Sequence, residues 1–103
     1  MRLFNTAKQL KNELFDAFQY FIDGDDFTSS FNYQGKKYLL QTMTDINTMS
    51  TDLVLSQQFG GPSWSLLLDL DTGRPVINSM SYGNMDLNKV LNNIDKFTNL
   101  LNQ

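Results

Sequence analysis

The sequence contains no cysteine and no histidine among its 103 residues. Without cysteine, the chain cannot form a disulfide framework, a thiol nucleophile or a thiolate metal site. Without histidine, it lacks the commonest general base and the commonest metal ligand. These absences remove most familiar catalytic sites. They favour a protein that acts by binding, without enzymatic activity, cofactor or metal.

Long apolar runs and blocks of one charge sign are also missing. No apolar run is longer than that of Leu66-Leu67-Leu68, and three residues are far too few for a membrane span. Because the start lacks the apolar block of a signal peptide, we expect a cytoplasmic protein that is intact from residue 1. Eight Lys and Arg against eleven Asp and Glu give a net charge of −3. Since only Lys36-Lys37 adjoin, direct binding to nucleic acid is not expected.

The remaining composition is typical of one globular domain. Hydrophobic residues make up 41% of the chain and aromatic residues 13%, which excludes a disordered chain. The length suffices for one core and is too short for two domains. We therefore expect residues 1–103 to form a single domain.

Two segments have the apolar spacing of an amphipathic helix, one near each end of the chain. The first precedes Gly24, a natural helix stop. Its apolar stripe consists of Leu3, Ala7, Leu10, Leu14, Phe18 and Phe21. The second follows the candidate caps Asn84 and Asp86. Its apolar face consists of Leu87, Val90, Leu91, Ile94, Phe97 and Leu101.

Between the helices, period-two alternation and turn signals favour strands. The predicted strands cover residues 27–33, 36–43, 53–59, 63–70 and 74–80, with a loop over 44–52 and residues 63–70 in a central position. Gln34-Gly35 predicts a two-residue turn that pairs Phe31 with Tyr38. Leu39 and Met43 are then expected on the opposite sheet face.

The predicted fold class is therefore α+β. It has an N-terminal helix, an antiparallel sheet of four to five strands in a meander, and a C-terminal helix. Each helix has one apolar face, so both are expected to pack on one face of the sheet.

One triplet, Asp71-Thr72-Gly73, resembles the active-site triplet of aspartic proteases. This resemblance implies a dimeric aspartic hydrolase that uses Asp71. However, Arg74-Pro75 follows the triplet, and the later apolar pair with glycine of that family is missing. The alternative is a hairpin turn, because Asp and Gly are ordinary turn residues.

A second resemblance covers Trp64 to Leu101, about a third of the chain. This hairpin followed by a helix resembles the end of bacterial secretion-chaperone-like domains, which often dimerise. The middle helix of that fold is missing. The resemblance implies a chaperone-like or structural homodimer that uses its open sheet face.

Two sets of residues are candidates for partner binding. Phe59 and Trp64 flank the tip Gly60-Gly61-Pro62-Ser63, where aromatic side chains can anchor a partner, although Trp64 can instead fold into the core. The second set is acidic and is expected to gather only if the first turn lies near the fourth hairpin. It consists of Asp23, Asp25, Asp26, Asp69 and Asp71. Such a patch would attract a basic surface, for example that of a nucleic-acid-binding protein.

The sequence thus predicts a non-enzymatic protein-binding module. The specific hypothesis is a small phage or mobile-element inhibitor of anti-defence type, which binds a host protein stoichiometrically. Eleven asparagines in 103 residues are consistent with an AT-rich genome, such as that of a low-GC bacterium or its phages.

Overall fold

The structure, a computed structural model, describes residues 2–76 and 87–102. The elements are β1 (Arg2–Phe4), α1 (Ala7–Ile22), β2 (Thr28–Tyr33), β3 (Lys36–Asp45), β4 (Ser50–Gln57), β5 (Ser63–Ser65) and α2 (Leu87–Leu101). The strands form one sheet in the order β1-β2-β3-β4-β5. Strands β2 to β5 form an antiparallel meander, and β1 runs parallel to β2. The predicted α+β architecture is confirmed.

The β2–β3 hairpin sets the register of the sheet. Gln34 and Gly35 have φ values of 52° and 75°, so the turn has two left-handed residues, as in a type I′ hairpin loop. Phe31 lies opposite Tyr38, and the two rings stack with 5.7 Å between their centroids. The predicted register is therefore confirmed.

Both helices pack on the same face of the sheet and cover one apolar core. The helices contribute buried Leu10, Leu14, Phe18, Phe21, Val90, Ile94, Phe97 and Leu101, and the sheet contributes Phe31, Tyr38, Leu40, Leu53 and Leu55. Within the described residues, neither helix has the length and apolarity needed to cross a bilayer.

The first helix starts later than its apolar stripe predicts. Leu3 lies in β1, and α1 begins only after Thr6. The Thr6 hydroxyl accepts the Gln9 backbone N–H at 3.2 Å, while the Gln9 side chain accepts the Thr6 N–H at 3.2 Å. This capping box fixes the helix start. The extended residues before it form β1, which pairs in parallel with β2. The predicted meander does not contain this strand.

The predicted loop over residues 44–52 is wrong at both ends. β3 continues to Asp45 and β4 begins at Ser50, so only residues 46–49 form the turn. Thr44 and Thr51 lie opposite each other, with 3.0 Å between their hydroxyl oxygens. Because these paired side chains are polar, apolar periodicity could not reveal this part of the hairpin.

The predicted strand over residues 63–70 is correct only for its first three residues. These form β5 at the edge of the sheet and not at its centre. Beyond them the chain contacts α2, where the amide of buried Asn93 donates hydrogen bonds to the carbonyl oxygens of Leu66, at 3.2 Å, and Leu68. Leu66 and Leu67 are buried in the core, although they lie outside the named strands.

The hairpin predicted around Asp71-Thr72-Gly73 is present in reduced form. An isolated bridge joins Leu68 to Pro75, and the Val76 N–H donates to the Leu67 carbonyl at 2.7 Å. Residues 77–80 of the predicted fifth strand lie outside the described residues, as do the candidate caps Asn84 and Asp86.

Candidate binding surface

One face of the sheet is not covered by α1 or α2, and we name it the outer face. Along β3 it presents Lys37, Leu39, Gln41, Met43 and Asp45, which we name the outer row. These residues alternate with buried Tyr38 and Leu40, because successive side chains of a strand point to opposite faces. The prediction that Leu39 and Met43 lie away from the helices is confirmed.

The outer face carries apolar side chains around the central amide of Gln41, and polar side chains farther out. Val54 of β4 lies beside Gln41, and both Val54 and Leu39 are half-buried. Met43 is 50% exposed. The neighbouring positions on β2, β4 and β5 carry Thr28, Ser30, Asp52, Ser56, Ser63 and Ser65, and Asp52 lies directly opposite Met43. Apolar side chains within a polar surround are the usual anatomy of a protein–protein interface.

Both turns that flank β4 hold a large apolar residue in a strained backbone conformation. Met49 has a φ of 55° and Phe59 a φ of 63°. Their side chains are 69% and 90% exposed. The left-handed conformation costs about 1–2 kcal/mol for residues other than glycine. Because core packing does not explain either residue, contact with another molecule is the better explanation.

The outer row carries opposite charges at its two ends. Lys37 lies next to Phe59, with its Nζ 5.6 Å from the ring centroid. Asp45 lies at the other end, where its carboxylate accepts the Asn47 backbone N–H at 2.9 Å. Neither charge forms a salt bridge with another described residue. Residues 38–73 contain no Lys or Arg, so this stretch supplies no cation to compensate Asp45.

β5 pairs only with residues 54–56 of β4, so the first residues of β4 have a free edge, and Asp52 protects part of it. Its carboxylate accepts the Ser65 hydroxyl at 2.6 Å and the Leu53 backbone N–H at 2.9 Å. The Leu53 carbonyl is also occupied, because it accepts the Leu66 N–H at 2.8 Å. With these edge groups satisfied, addition of a strand at Leu53 is disfavoured. The outer face, not this edge, is the better contact surface.

Three of the predicted acidic residues, Asp23, Asp25 and Asp26, lie in the turn after α1. Phe27 follows them and exchanges two hydrogen bonds of 2.9 Å with Thr42 of β3. The acidic turn is therefore at the same end of the sheet as the β3–β4 turn. The last turn of α1 has no basic residue, although a helix C-terminus carries partial negative charge. This end of the molecule is thus strongly electronegative.

The other two predicted acidic residues, Asp69 and Asp71, lie against Lys96 of α2. The Lys96 Nζ is 2.6 Å from the Asp71 carboxylate and 3.8 Å from that of Asp69. Asp69 and Asp71 thus lie together beside the ammonium group of Lys96. They do not join the acidic turn after α1. Asp23, Asp25, Asp26, Asp69 and Asp71 remain predicted partner-binding residues.

The contacts of Asp69 favour the turn interpretation of Asp71-Thr72-Gly73. One Asp69 oxygen accepts the backbone N–H groups of Asp71, at 2.8 Å, and Thr72, at 3.2 Å. The Asp71 hydrogen bond is the main cause that lowers the pKa of Asp69, and the charge of Lys96 lowers it further. Conversely, the hydrogen bond to Asp71 raises the pKa of Lys96.

The two aromatic residues of the predicted tip have different surroundings. Trp64 is partly buried against the core, edge-on to Phe97 with 6.2 Å between the ring centroids. Its core interpretation is therefore favoured. Phe59 projects into solvent and stays a candidate anchor.

A buried polar cluster was not predicted. Glu13 is 4% exposed and pairs with Arg2, and its Oε2 also accepts the Ser29 hydroxyl at 3.2 Å. The cluster joins α1 to β1 and β2 through one carboxylate oxygen of Glu13. Among the described residues, no group of three or more acidic side chains could hold a metal ion.

Sequence reasoning also missed Lys37, Asp45 and Ile46 as site residues. The available signal was the alternation at every second position from Lys37 to Asp45. The predicted loop over residues 44–52 interrupts this alternation before Asp45. Ile46, which is 80% exposed, gave no periodic signal because it lies in the turn.

Comparisons of the chain with protein-family models, with curated proteins and with solved structures give no match.

Proposed function

We propose that this protein is a non-enzymatic protein-binding module that acts by stoichiometric contact through its outer face. The specific form of the proposal is a phage or mobile-element inhibitor that binds a host protein in the cytoplasm. The absence of cysteine and the small acidic domain support this proposal. The face presents a combination of apolar and charged groups that suits recognition rather than covalent chemistry.

The observation that carries the proposal is the exposed apolar surface of the outer face and its flanking turns. Met43, Met49 and Phe59 are each at least half exposed, and two of them occupy strained turns. A monomer gains no stability from these features. A partner that covers them would gain both apolar burial and rigid anchor residues.

The dimeric aspartic hydrolase is the less favoured alternative. Asp71 is 76% exposed and bonded to Lys96, so its carboxylate is engaged by a cation and not by a second carboxylate. Asp69 is occupied by the turn itself. Replacement of Asp71 by Asn would abolish an activity that depends on this carboxylate.

The proposal is tested by quantitative copurification from cells that express tagged and untagged copies of the chain together. The wild-type protein is compared with Met43→Lys, which places a charge at a half-exposed apolar position of the outer face. We expect the tagged wild type to retain one protein near a 1:1 ratio, and Met43→Lys to lose most of it. The variant removes the apolar contact of Met43, and the introduced ammonium group, which lies opposite Asp52, must lose its hydration in an interface, so both effects oppose binding.

Asn12→Lys is the matched control, because Asn12 is exposed on α1 and the same charge is introduced. This variant should retain the partner. Absence of any stoichiometric partner, including the untagged copy, would contradict the proposal. Equal losses in both lysine variants would show that charge alone, and not the outer face, determines retention.

A further inference from the structure

The outer row has an order of side chains that is complementary to its own reverse. From one end it runs cation, apolar, amide, apolar, anion, with Gln41 at the centre. Reversal of the row exchanges Lys37 with Asp45 and Leu39 with Met43. A second, antiparallel copy of the row would therefore place opposite charges together at both ends and apolar side chains together between them.

We propose that the occupant of the outer face is a second copy of this chain, bound in a two-fold symmetric, face-to-face dimer. The axis lies in the plane between the sheets, perpendicular to the strands, over Gln41. Lys37 of each copy then faces Asp45 of the other, which gives two equivalent ion pairs. This inference rests on the proposed function, because it uses the same surface, and it replaces the host protein with a second copy as the occupant of that surface.

In the same dimer, the turn at one end of β4 faces the turn at the other end of β4 in the second copy. Phe59 lies beside Lys37, and Ile46 follows Asp45 directly in the chain. When Lys37 approaches the second copy's Asp45, Phe59 approaches the apolar β3–β4 turn of that copy. The exposed residues at opposite ends of β4 thus become neighbours, which explains why both turns carry large apolar side chains.

The area of the face is sufficient for a weak dimer. The outer row spans about 26 Å from Lys37 to Asp45, and five strands span about 19 Å. Each copy thus offers roughly 500 Å², so a dimer buries on the order of 1,000 Å², near the lower limit for specific interfaces. Two-fold dimers are also the commonest oligomers, and their interfaces must be self-complementary.

The test measures mass by sedimentation velocity over protein concentrations from about 1 µM to about 1 mM, the range of weak dissociation constants. We expect the wild type to rise from the monomer mass of 11.8 kDa toward twice that value. Lys37→Asp and Asp45→Lys should each weaken the dimer at least about tenfold, because each change creates two like-charge contacts.

Two combinations restore opposite charges. The double variant Lys37→Asp/Asp45→Lys should dimerise like the wild type. An equimolar mixture of the two single variants should also form a 1:1 dimer, because one chain then carries two aspartates and the other two lysines. Lys8→Asp is the matched control, since Lys8 is exposed on α1, and it should leave dimerisation unchanged.

Each opposing result overturns the inference. A wild type that stays monomeric at about 1 mM excludes the dimer. A dimer that survives both single reversals uses another surface. Oligomers larger than a dimer in the mixture would indicate a head-to-tail arrangement of the copies. If copurification recovers a different protein that depends on Met43, while the chain does not self-associate, this inference fails and the proposed function stands.

Discussion

Met49 and Phe59 each combine two features that do not favour the folded monomer, namely a left-handed backbone conformation and an exposed apolar side chain. Glycine is the residue that best tolerates a positive φ, yet both positions hold bulky apolar side chains. Gln34 has the same backbone conformation, but it is polar and bonds to Asn102 at 2.9 Å. The contrast separates a turn residue that is held by a hydrogen bond from two residues whose side chains are mostly exposed, although the Lys37 Nζ lies 5.6 Å from the Phe59 ring centroid.

We predict that Met49→Gly increases the free energy of unfolding by about 0.5–1 kcal/mol, since relief of the left-handed strain exceeds the entropy cost of glycine. Met49→Ala keeps the strained backbone with the same loss of side chain, so it is the matched control and should not stabilise. Urea unfolding at low protein concentration measures both variants. Equal effects of glycine and alanine would show that the conformation is not strained.

At the scale of elements, the sequence predicts most where periodicity and a turn signal coincide. The β2–β3 hairpin followed from Gln34-Gly35 and alternating apolar residues, and so did the positions of Leu39 and Met43. Most of both helix faces followed from 3.6-residue spacing, but Leu87 and Leu91 of the predicted second face are exposed. The candidate surface was predicted only in part, because Phe59 carried an aromatic signal whereas the charge order of β3 depended on the full length of that strand.

The missed elements share a physical cause, namely that tertiary contacts override local pattern. The apolar run Leu66-Leu67-Leu68 has the composition of a buried strand, but the amide of Asn93, 25 residues later, binds two of its carbonyl groups. β1 is similar, because Leu3 fits the helical stripe and only the Thr6 cap excludes it. Neither contact can be inferred from the spacing of apolar residues.

The turn that carries Asp69 gives an element-scale prediction of pH dependence. The pKa of Asp69 is lowered from its ordinary value of 3.8, so the charged form stabilises the folded turn above that pH. This contribution is lost as the pH falls through the lowered pKa. Asp69→Asn keeps an oxygen acceptor but does not titrate. We therefore expect the variant to be less stable than the wild type above pH 4, roughly, and equally stable at the lowest pH values.

Urea unfolding from neutral pH to about pH 2 measures this difference. Asp16→Asn, on the exposed surface of α1, controls for the loss of one negative charge. If the difference between the wild type and Asp69→Asn stays constant through the acid range, the Asp69 charge does not stabilise the turn.

At the scale of the whole molecule, two layers complete the fold. The radius of gyration is 13.1 Å, which matches the value of about 13 Å for a compact domain of this length. The open outer face is therefore not the result of an expanded or partial core. One side of the sheet supplies the stability of the monomer, and the other side is available for association.

The adjacent residues Leu39 and Leu40 separate these two roles within one strand. Leu40 is fully buried beneath the helices, whereas Leu39 lies on the outer face. We predict that Leu40→Ala lowers the free energy of unfolding by about 3 kcal/mol at any protein concentration, because it leaves a cavity in the core. Leu39→Ala should cost less than about 1 kcal/mol at low concentration, since it removes only half-buried surface.

Concentration then distinguishes the two variants. If a second copy covers the outer face, the folded wild type becomes more stable as the protein concentration rises, because association favours the folded state. Leu39→Ala should gain less stability, because its interface is weakened. Thermal unfolding at low and high concentration measures this effect as a widening gap in Tm between the wild type and Leu39→Ala. The gap for Leu40→Ala should change little, because its interface is intact. A Leu39→Ala gap that is independent of concentration would mean that Leu39 contributes only to the monomer.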